Sequence, residues 1–334
     1  MGKVVAAVGM SHAPGALAFP ETCPQAIRTK LENASLELGK SLSAGKPDVI
    51  FAFLDDHFEK LFRNHMPSIA VGVAKSHVGP ADQWMETLRI KEKTIFPGAP
   101  KIAEHLLALL VEEGFDVSRA GETEYGNNLL MPWILMNPGI ECPIIPIYIN
   151  VFTPPLISYK RAYNLGEAVA NAIESLPADT KVGLLCTGGL SHWPPYWNEF
   201  QASPDDEFMN RMKRYQTEGK EYLKTDPRLF VEFDDYEVEM AKKNEYPLNN
   251  HHPLVNEVWD RMFMDKFCTG DSTYMKALTY KEVEEEAGHG GHEVLNWAAL
   301  LGAMRGQKSR LLVYKPVIEW ICGMTYVDFD VTKP

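Results

Sequence analysis

The sequence contains little cysteine and no long apolar run. Its 334 residues include five cysteines, which are widely spaced and form no Cys-x-x-Cys pair. This spacing predicts neither a disulfide framework nor a thiolate zinc site. No apolar run reaches the roughly 18 residues that a membrane helix needs, and no basic segment precedes the first apolar run. We therefore expect reduced thiols, a cytoplasmic location and no membrane partner.

Positive charge is also scarce, since 33 lysines and arginines stand against 45 acidic residues and give a formal net charge of -12. Nucleic-acid binding needs a basic surface that neutralises phosphates, so we expect no nucleic-acid partner. The chain also lacks the glycine-rich nucleotide-binding motifs. A sequence of this length that is 45% hydrophobic can bury a large core. Without a clear linker, we expect one domain over residues 1–334.

Three short apolar runs each end on a histidine. Residues 4–12 end on His12, residues 49–57 on His57 and residues 182–192 on His192. A near-continuous apolar run is typical of a parallel strand that is buried on both faces. Open α/β sheets bind their ligands outside the carboxyl ends of such strands. We therefore expect the three histidines to line one site at one edge of a sheet.

Helical patterns alternate with these runs. Apolar residues recur at helical spacing in four segments, 21–44, 101–114, 159–176 and 291–304, and a further buried strand is indicated at 142–151. Such alternation predicts an α/β protein, a three-layer α/β/α sandwich around a mostly parallel or mixed sheet. The segment 193–285 is largely polar and rich in helix formers. We expect it to form either a helical cap over the sheet edge or a solvated helical excursion.

Two imidazoles and one carboxylate on one face of a metal ion are typical of non-haem Fe(II) oxygenases. His12 and His57 are the candidate nitrogen ligands, and Glu293, near the start of the last helical segment, is the candidate oxygen ligand. Such a set leaves adjacent positions open for a bidentate aromatic diol and dioxygen. Each residue also has a simpler interpretation, because a single histidine is more often structural and a helical glutamate is normally solvated.

Six motifs carry a resemblance to a known family. They are Met10-Ser11-His12-Ala13-Pro14, Asp55-Asp56-His57, Thr187-Gly188-Gly189-Leu190-Ser191-His192-Trp193-Pro194-Pro195, His252-Pro253-Leu254, His292-Glu293-Val294-Leu295-Asn296-Trp297 and Pro316-Val317-Ile318-Glu319-Trp320. Together they resemble the class III extradiol ring-cleavage dioxygenases over nearly the whole chain. Within that family they look most like the single-subunit 2,3-dihydroxyphenylpropionate 1,2-dioxygenase type, with kinship to the catalytic subunit of protocatechuate 4,5-dioxygenase.

The resemblance implies a role for each strand-end histidine. His12, His57 and Glu293 match the iron ligands of the family, and His192 matches its catalytic histidine. The implied cofactor is Fe(II), although Mn(II) suits the same ligands. The implied reaction opens the ring of a small vicinal-diol aromatic with O2, and His192 acts as general base and then as acid near its ordinary pKa of about 6.5. The resemblance also implies assembly, which we expect to give a homo-oligomer.

One position departs from the pattern of the diol-cleaving members, in which a second histidine stands in an Asp-His-Gly motif. The matching stretch here is Glu124-Tyr125-Gly126, so Tyr125 is the candidate second catalytic residue, able to donate a hydrogen bond or a proton. The 2-aminophenol-cleaving relatives resemble this sequence in carrying a tyrosine there. Catechols, polyhydroxylated benzoates and o-aminophenols therefore stay open as substrates. The structural alternative is a tyrosine that only packs at the sheet edge.

Further residues are candidates for the substrate pocket or for support of the ligands. Of Asp55 and Asp56, one is expected to hold a ligand imidazole in its tautomer and the other to cap a helix. The pocket candidates are Asp56, Trp193, Tyr196, Trp197, His251 and His252, of which the aromatic residues can equally fill the core. The remaining histidines, His65, His77, His105, His289 and His292, are expected at the surface or in packing.

Two other functions stay open on sequence grounds. A metal-dependent hydrolase or lyase on the same scaffold would use water in place of dioxygen, with Tyr125 in the position of the missing histidine. A non-enzymatic interaction protein could keep the fold. The complete set of ligand candidates together with His192 argues against the second of these.

Overall fold

The computed structural model describes residues 1–194, 207–245 and 253–331. These residues contain ten strands: β1 Lys3–Met10, β2 Val49–Leu54, β3 Ile69–Gly72, β4 Ser76–Gly79, β5 Thr94–Pro97, β6 Ser118–Ala120, β7 Ile144–Ile149, β8 Lys181–Thr187, β9 Ser309–Val317 and β10 Cys322–Phe329. Eight of them form one sheet in the order β6-β3-β7-β2-β8-β1-β10-β9, and β4 pairs with β5 in a separate hairpin.

The centre of the large sheet is parallel. β2 pairs in parallel with β7 and β8, and β8 pairs in parallel with β1. In this register Leu185 of β8 lies opposite Val8 on one side and Ala52 on the other. β10 then runs antiparallel to β1 and to β9, while β3 runs antiparallel to β7. The predicted mixed sheet is therefore confirmed, and the carboxyl ends of β1, β2 and β8 lie at one edge.

Helices flank the sheet. In the described residues they are α1 Gly15–Ala18, α2 Gln25–Ala44, α3 Pro100–Glu112, α4 Leu130–Met136, α5 Tyr159–Ser175, α6 Glu207–Glu218, α7 Leu229–Lys243, α8 Glu257–Thr269, α9 Ser272–Ala277, α10 Tyr280–Ala287 and α11 Val294–Ala303. α2, α3 and α5 match three predicted helical segments. The fourth, 291–304, consists of a short 3-10 turn, Gly290–Glu293, followed by α11.

Alternate residues of one strand enter two different apolar clusters. Phe51 and Phe53 of β2 belong to one cluster with α5 and α11, whereas Ile50 and Ala52 belong to another cluster with α2 and α4. Successive side chains of a strand point to opposite faces, so the sheet is covered on both sides. The predicted three-layer α/β/α sandwich is confirmed.

Glycine allows α5 and α11 to approach closely. A Cβ atom at Gly166 of α5 would collide with the carbonyl oxygen of Ala299, and one at Gly302 of α11 would collide with the carbonyl of Tyr163. Larger residues would force the two helices apart. This contact fixes the depth at which α11, and with it the turn that ends at Glu293, lies on the sheet.

Other sequence expectations concern cysteines, membrane helices and the cap. All five cysteines are free, as predicted. Within the described ranges, no helix combines the length and the apolar character that crossing a membrane requires. The part of the 193–285 segment that the structure describes is helical, from α6 to α10. Its role as a cap stays a prediction.

Candidate metal centre

Three histidines lie just beyond the ends of three adjacent parallel strands. His12 follows β1, His57 follows β2, and His192 follows β8, which lies between the other two strands. All three side chains are buried. The strands themselves end before the histidines, so each imidazole is carried by the short loop that leaves the sheet.

The carboxylate of Glu293 lies among the three imidazoles. Its Oε2 is 3.2 Å from Nε2 of His12, and its Oε1 is 3.6 Å from Nε2 of His57 and 3.3 Å from Nε2 of His192. The backbone N–H of Gly189 donates a hydrogen bond to Oε2. Glu293 is 1% exposed, so its charge is balanced by these groups rather than by solvent.

A second carboxylate, that of Asp55, supports the histidines. Its Oδ2 lies 3.3 Å from Nδ1 of His57 and 3.9 Å from Nε2 of His12, and its Oδ1 accepts a hydrogen bond from the amide of Asn296. Asp56, the next residue, instead accepts hydrogen bonds from the backbone N–H groups of Lys60 and Leu61. Asp55 is therefore the acidic residue next to the ligand candidates, and Asp56 fixes the loop.

Burial and charge shift the protonation of these groups in different directions. Burial lowers the pKa of His57 to about 4, which keeps this imidazole neutral at neutral pH. Burial acts to raise the pKa of Glu293, but His12 and His192 outweigh it and hold that pKa well below the ordinary value. Burial, followed by the charge of Glu293, raises the pKa of Asp55 well above the ordinary value. A neutral imidazole and an ionised carboxylate are the forms that bind metal ions.

The buried donor atoms fit a divalent metal ion. One ligand atom from each of His12, Asp55, His57 and Glu293 lies within 4.8 Å of the others. Within the described ranges, Nδ1 of His12 has no hydrogen-bond partner, and Nε2 of His12 and Oδ2 of Asp55 have only the ion-pair contacts given above. Buried polar atoms are rarely left in this state. A cation at this position would satisfy Nε2 of His12 and Oδ2 of Asp55, and the nitrogen and oxygen donors suit Fe(II), Mn(II) or Zn(II).

His192 differs from the other two histidines in its hydrogen bonding. Its Nδ1 lies 2.8 Å from the carbonyl oxygen of Leu190, which can only accept, so Nδ1 carries the proton. In the neutral ring Nε2 then holds the lone pair. Gly290 packs against this atom, because a Cβ at that position would collide with Nε2 of His192. His192 therefore presents a basic nitrogen beside the candidate metal ligands.

A cavity opens onto this group of side chains. Its lining includes His12, Ala13, Pro14, His57, Trp84, Asn127, Gly189, His192, Pro194, Phe233, Glu237, Glu293, Trp320, Ile321 and Cys322. Asn127, Phe233 and Glu237 were not among the site residues predicted from the sequence. Asn127 donates from Nδ2 to the carbonyl of His12 at 2.9 Å, and its Oδ1 is buried with no partner among the described residues. Only the proximity of Asn127 to the Glu124-Tyr125-Gly126 motif could have indicated it.

The other predicted site residues have different surroundings. The ring of Tyr125 is fully buried and packs against His77 and Phe96, and it does not line the cavity. Its catalytic role therefore stays a prediction that this position does not favour. Trp193 packs in an apolar cluster with Met240 and Leu254, next to Pro194 of the cavity lining. His251, His252, Tyr196 and Trp197 lie outside the described residues.

The remaining histidines follow two patterns. His65 and His105 are exposed, as expected. His77, His289 and His292 are buried, and each makes specific hydrogen bonds: His77 with Thr123, His289 with Glu284 and the carbonyl of Phe152, and His292 with Tyr159 and Glu284.

The chain is similar to known proteins over most of its length. Residues 6–325 match a family model described as the catalytic LigB subunit of aromatic ring-opening dioxygenase. A protein of Photorhabdus laumondii named 2,3-dihydroxyphenylpropionate/2,3-dihydroxicinnamic acid 1,2-dioxygenase is 29% identical over 312 residues, which are 91% of each chain. A Pseudomonas putida protein of the same name is 29% identical over 286 residues, 84% of this chain and 85% of the relative.

Proposed function

Because the chain belongs to the aromatic ring-opening dioxygenase family of the catalytic LigB subunit, we propose that it opens the ring of a small vicinal-diol aromatic with both atoms of O2. We propose Fe(II) as its cofactor, with His12, His57 and Glu293 as ligands and His192 as the acid and base. Mn(II) is the alternative ion. We also propose that the protein works as a homo-oligomer.

One observation carries this proposal. Three imidazoles from separate strand ends converge on one buried carboxylate, that of Glu293, with nitrogen–oxygen distances of 3.2, 3.6 and 3.3 Å. Three buried histidines around one carboxylate are costly unless a function needs them, because each polar group must be desolvated. A metal ion held by two of the histidines and the carboxylate, with the third histidine left for proton transfer, accounts for all four residues.

The donor set fits iron as well as it fits manganese. When bound, Fe(II) supplies open coordination positions and the electrons that allow dioxygen to react with an aromatic diol. Asp55 beside Nδ1 of His57 fixes the orientation of that imidazole, as outer carboxylates do for metal-binding histidines. The side-chain amide of Asn296 in turn holds Asp55 in place by donating a hydrogen bond to its carboxylate.

His192 performs the proton transfers in this proposal. The carbonyl of Leu190 fixes the proton on Nδ1, so Nε2 is the atom that takes a proton from a ring hydroxyl of the substrate. The protonated imidazole of His192 then returns that proton as the product forms. Proton transfer by a positioned side chain contributes roughly 10²–10⁴-fold to a rate.

Asn127 and the apolar lining are suited to holding an aromatic ring. Oδ1 of Asn127, which has no hydrogen-bond partner in the part of the chain that the structure describes, can accept a hydrogen bond from a substrate hydroxyl. Trp84, Phe233 and Trp320 line the same cavity and provide the apolar surface that aromatic ligands need. The relatives named above are described as acting on 2,3-dihydroxyphenylpropionate, which makes this diol the first substrate to test. A 2-aminophenol is the alternative, because Tyr125 stands where the diol-cleaving pattern has histidine.

The test is oxygen uptake by protein loaded anaerobically with Fe(II). The protein is offered 2,3-dihydroxyphenylpropionate, catechol, protocatechuate, gallate and 2-aminophenol, and absorbance follows the ring-opened product. We expect uptake that equals product one to one with at least one diol, and loss of both iron and turnover in Glu293→Ala. Stoichiometric iron and full turnover in Glu293→Ala would show that the ligand assignment is wrong. Product without oxygen uptake would favour a hydrolase or lyase.

A further inference from the structure

A second group of metal-ligand side chains lies beside the turn that carries Glu293. It consists of Glu284 in α10 and of His289 and His292 after it, and one ligand atom from each lies within 4.8 Å of the others. Oε2 of Glu284 is 2.9 Å from Nδ1 of His289 and 3.0 Å from Nε2 of His292. Two imidazoles thus converge on one carboxylate oxygen. The proposed function uses none of the three residues.

The hydrogen bond on the far side of His289 determines where its proton lies. Nε2 of His289 is 2.9 Å from the carbonyl oxygen of Phe152, and a carbonyl only accepts, so Nε2 carries the proton. In the neutral ring Nδ1 then has a lone pair and no proton. That lone pair faces a carboxylate oxygen of Glu284, which is also only an acceptor. A cation, either a second proton or a metal ion, must lie between these two atoms.

Both imidazoles are held from behind as metal-binding histidines usually are. The carbonyl of Phe152 fixes His289, and the hydroxyl of Tyr159 lies 2.7 Å from Nδ1 of His292. Such outer hydrogen bonds orient the ring so that its other nitrogen faces the metal ion. The two inward nitrogens, Nδ1 of His289 and Nε2 of His292, are the ones that converge on Glu284.

The charge and the exposure of Glu284 also suit a cation. Burial acts to raise its pKa, but the neighbouring imidazoles of His289 and His292 outweigh burial and hold the pKa below the ordinary value, so the carboxylate is ionised. The side chain of Glu284 is 16% exposed, whereas those of His289 and His292 are 1% and 0% exposed. An ion can therefore reach the group from solvent on the side of Glu284.

We propose that Glu284, His289 and His292 form a second metal site, which binds a divalent cation of the zinc type. Two imidazole nitrogens and one carboxylate oxygen are a common three-residue zinc set, with a water molecule as the fourth ligand. The ion would tie α10 to the turn that ends at Glu293. Through His289, which is hydrogen-bonded to the carbonyl of Phe152, it would also fix the position of Phe152, whose ring lies 5.1 Å from that of His57. The second site would thus stabilise the segment that carries a ligand of the first.

The experiment counts bound Co²⁺ in the full-length protein by equilibrium dialysis and metal analysis, with visible ligand-field absorption as the spectroscopic signature. His57→Ala removes a ligand of the first site, and Glu284→Gln removes the charge of the second without changing side-chain size. Glu285→Gln is the matched control, because Glu285 is the next residue of α10 and its side chain is 62% exposed. Circular dichroism confirms that each variant is folded.

We expect the second site to bind one equivalent of Co²⁺, which stays bound in His57→Ala and in Glu285→Gln but is lost in Glu284→Gln. In Glu284→Gln the affinity of the second site for Co²⁺ should fall by more than the roughly 10–100-fold that loss of an outer-shell partner costs. In His57→Ala, Co²⁺ or Zn²⁺ should raise the melting temperature. The inference is overturned if His57→Ala binds no Co²⁺, or if Glu284→Gln keeps the equivalent that survives His57→Ala, since a proton then fills the position. If His57→Ala does not fold, His12→Ala replaces it, and if Glu284→Gln does not fold, His289→Leu replaces it.

Discussion

The side-chain amide of Asn296 donates a 2.7 Å hydrogen bond to Oδ1 of Asp55. The same nitrogen, Nδ2, also lies 2.9 Å from the carbonyl oxygen of Thr187. One buried amide in α11 therefore connects the helix that follows Glu293 to the ends of β2 and β8. Because Oδ2 of Asp55 is 3.3 Å from Nδ1 of His57, the amide also acts on the orientation of that imidazole.

Replacing this amide should weaken metal binding without removing a ligand. Asn296→Leu leaves Oδ1 of Asp55 and the carbonyl of Thr187 buried without their donor, which should cost about 1–3 kcal/mol of the free energy of unfolding. Misplacement of Asp55 and His57 should lower the affinity for Fe(II) about 10–100-fold. Urea unfolding and anaerobic metal titration measure the two effects. Asn171→Leu, at an exposed position of α5, is the control, and unchanged Fe(II) affinity in folded Asn296→Leu would contradict the role of Asn296.

His192→Gln should separate proton transfer from metal binding. Glutamine can still form hydrogen bonds but cannot act as a base near neutral pH, so kcat should fall about 10²–10⁴-fold. Because His192 is proposed as acid and base rather than as ligand, iron content should stay at one equivalent in the proposed centre. Steady-state kinetics and metal analysis give the two values. A variant that loses its iron would make His192 a ligand, and exposed His105→Gln should change neither quantity.

Tyr125→Phe tests the role that the motif assigns to this tyrosine. The hydroxyl lies in the core, has no hydrogen-bond partner among the described residues and does not face the cavity. We therefore expect kcat and KM to be unchanged and stability to be equal or higher, because a buried hydroxyl without a partner is unfavourable. Tyr148→Phe is the matched control, since its hydroxyl is also buried without a partner in the same apolar cluster. A fall in kcat for Tyr125→Phe alone would support the catalytic role.

His77 should make the protein less stable in weak acid. Burial lowers its pKa to about 4, whereas the unfolded chain has an ordinary pKa of about 6.5. The unfolded state therefore binds a proton first, and stability that is complete above pH 6.5 is lost as the pH falls towards 4. By about pH 5 the loss should be about 1–2 kcal/mol.

The measurement is urea unfolding at about pH 8 and about pH 5. His77→Asn keeps an acceptor for the hydrogen bonds from Thr123 but does not titrate. The difference in unfolding free energy between the two pH values should therefore be smaller by about 1–2 kcal/mol in His77→Asn. His105→Asn, at an exposed position, should behave like the parent protein. An equal pH dependence in His77→Asn would show that another group is responsible.

Local sequence patterns were sufficient to predict the parallel centre of the sheet. Buried parallel strands are continuous apolar runs, so β1, β2, β7 and β8 are visible in the sequence, and the shared edge of His12, His57 and His192 follows from the geometry of such sheets. The antiparallel strands β9 and β10 were not identified. β9 mixes exposed and buried residues, and its pairing with β10 depends on partners rather than on a local apolar run.

Details of the site depended on contacts that local patterns do not encode. The sequence indicated that one of Asp55 and Asp56 supports a ligand, but the loop after β2 decides which, because adjacent residues point in different directions. Asn127 and Glu237 reach the cavity only through long-range packing. His289 and His292 were expected at the surface or in packing, and their convergence on Glu284 depends on how the chain turns after α10.

The order of the proposed metal ligands along the chain also has a consequence for protein synthesis. His12 and His57 leave the ribosome long before Glu293 and α11, the helix that follows it. A nascent chain therefore carries two nitrogen ligands without the carboxylate that completes the proposed set. Domains generally fold as units during translation, so the proposed metal ion should be captured only after Glu293 and α11 have been made. A product that ends before Glu293 would lack the proposed centre.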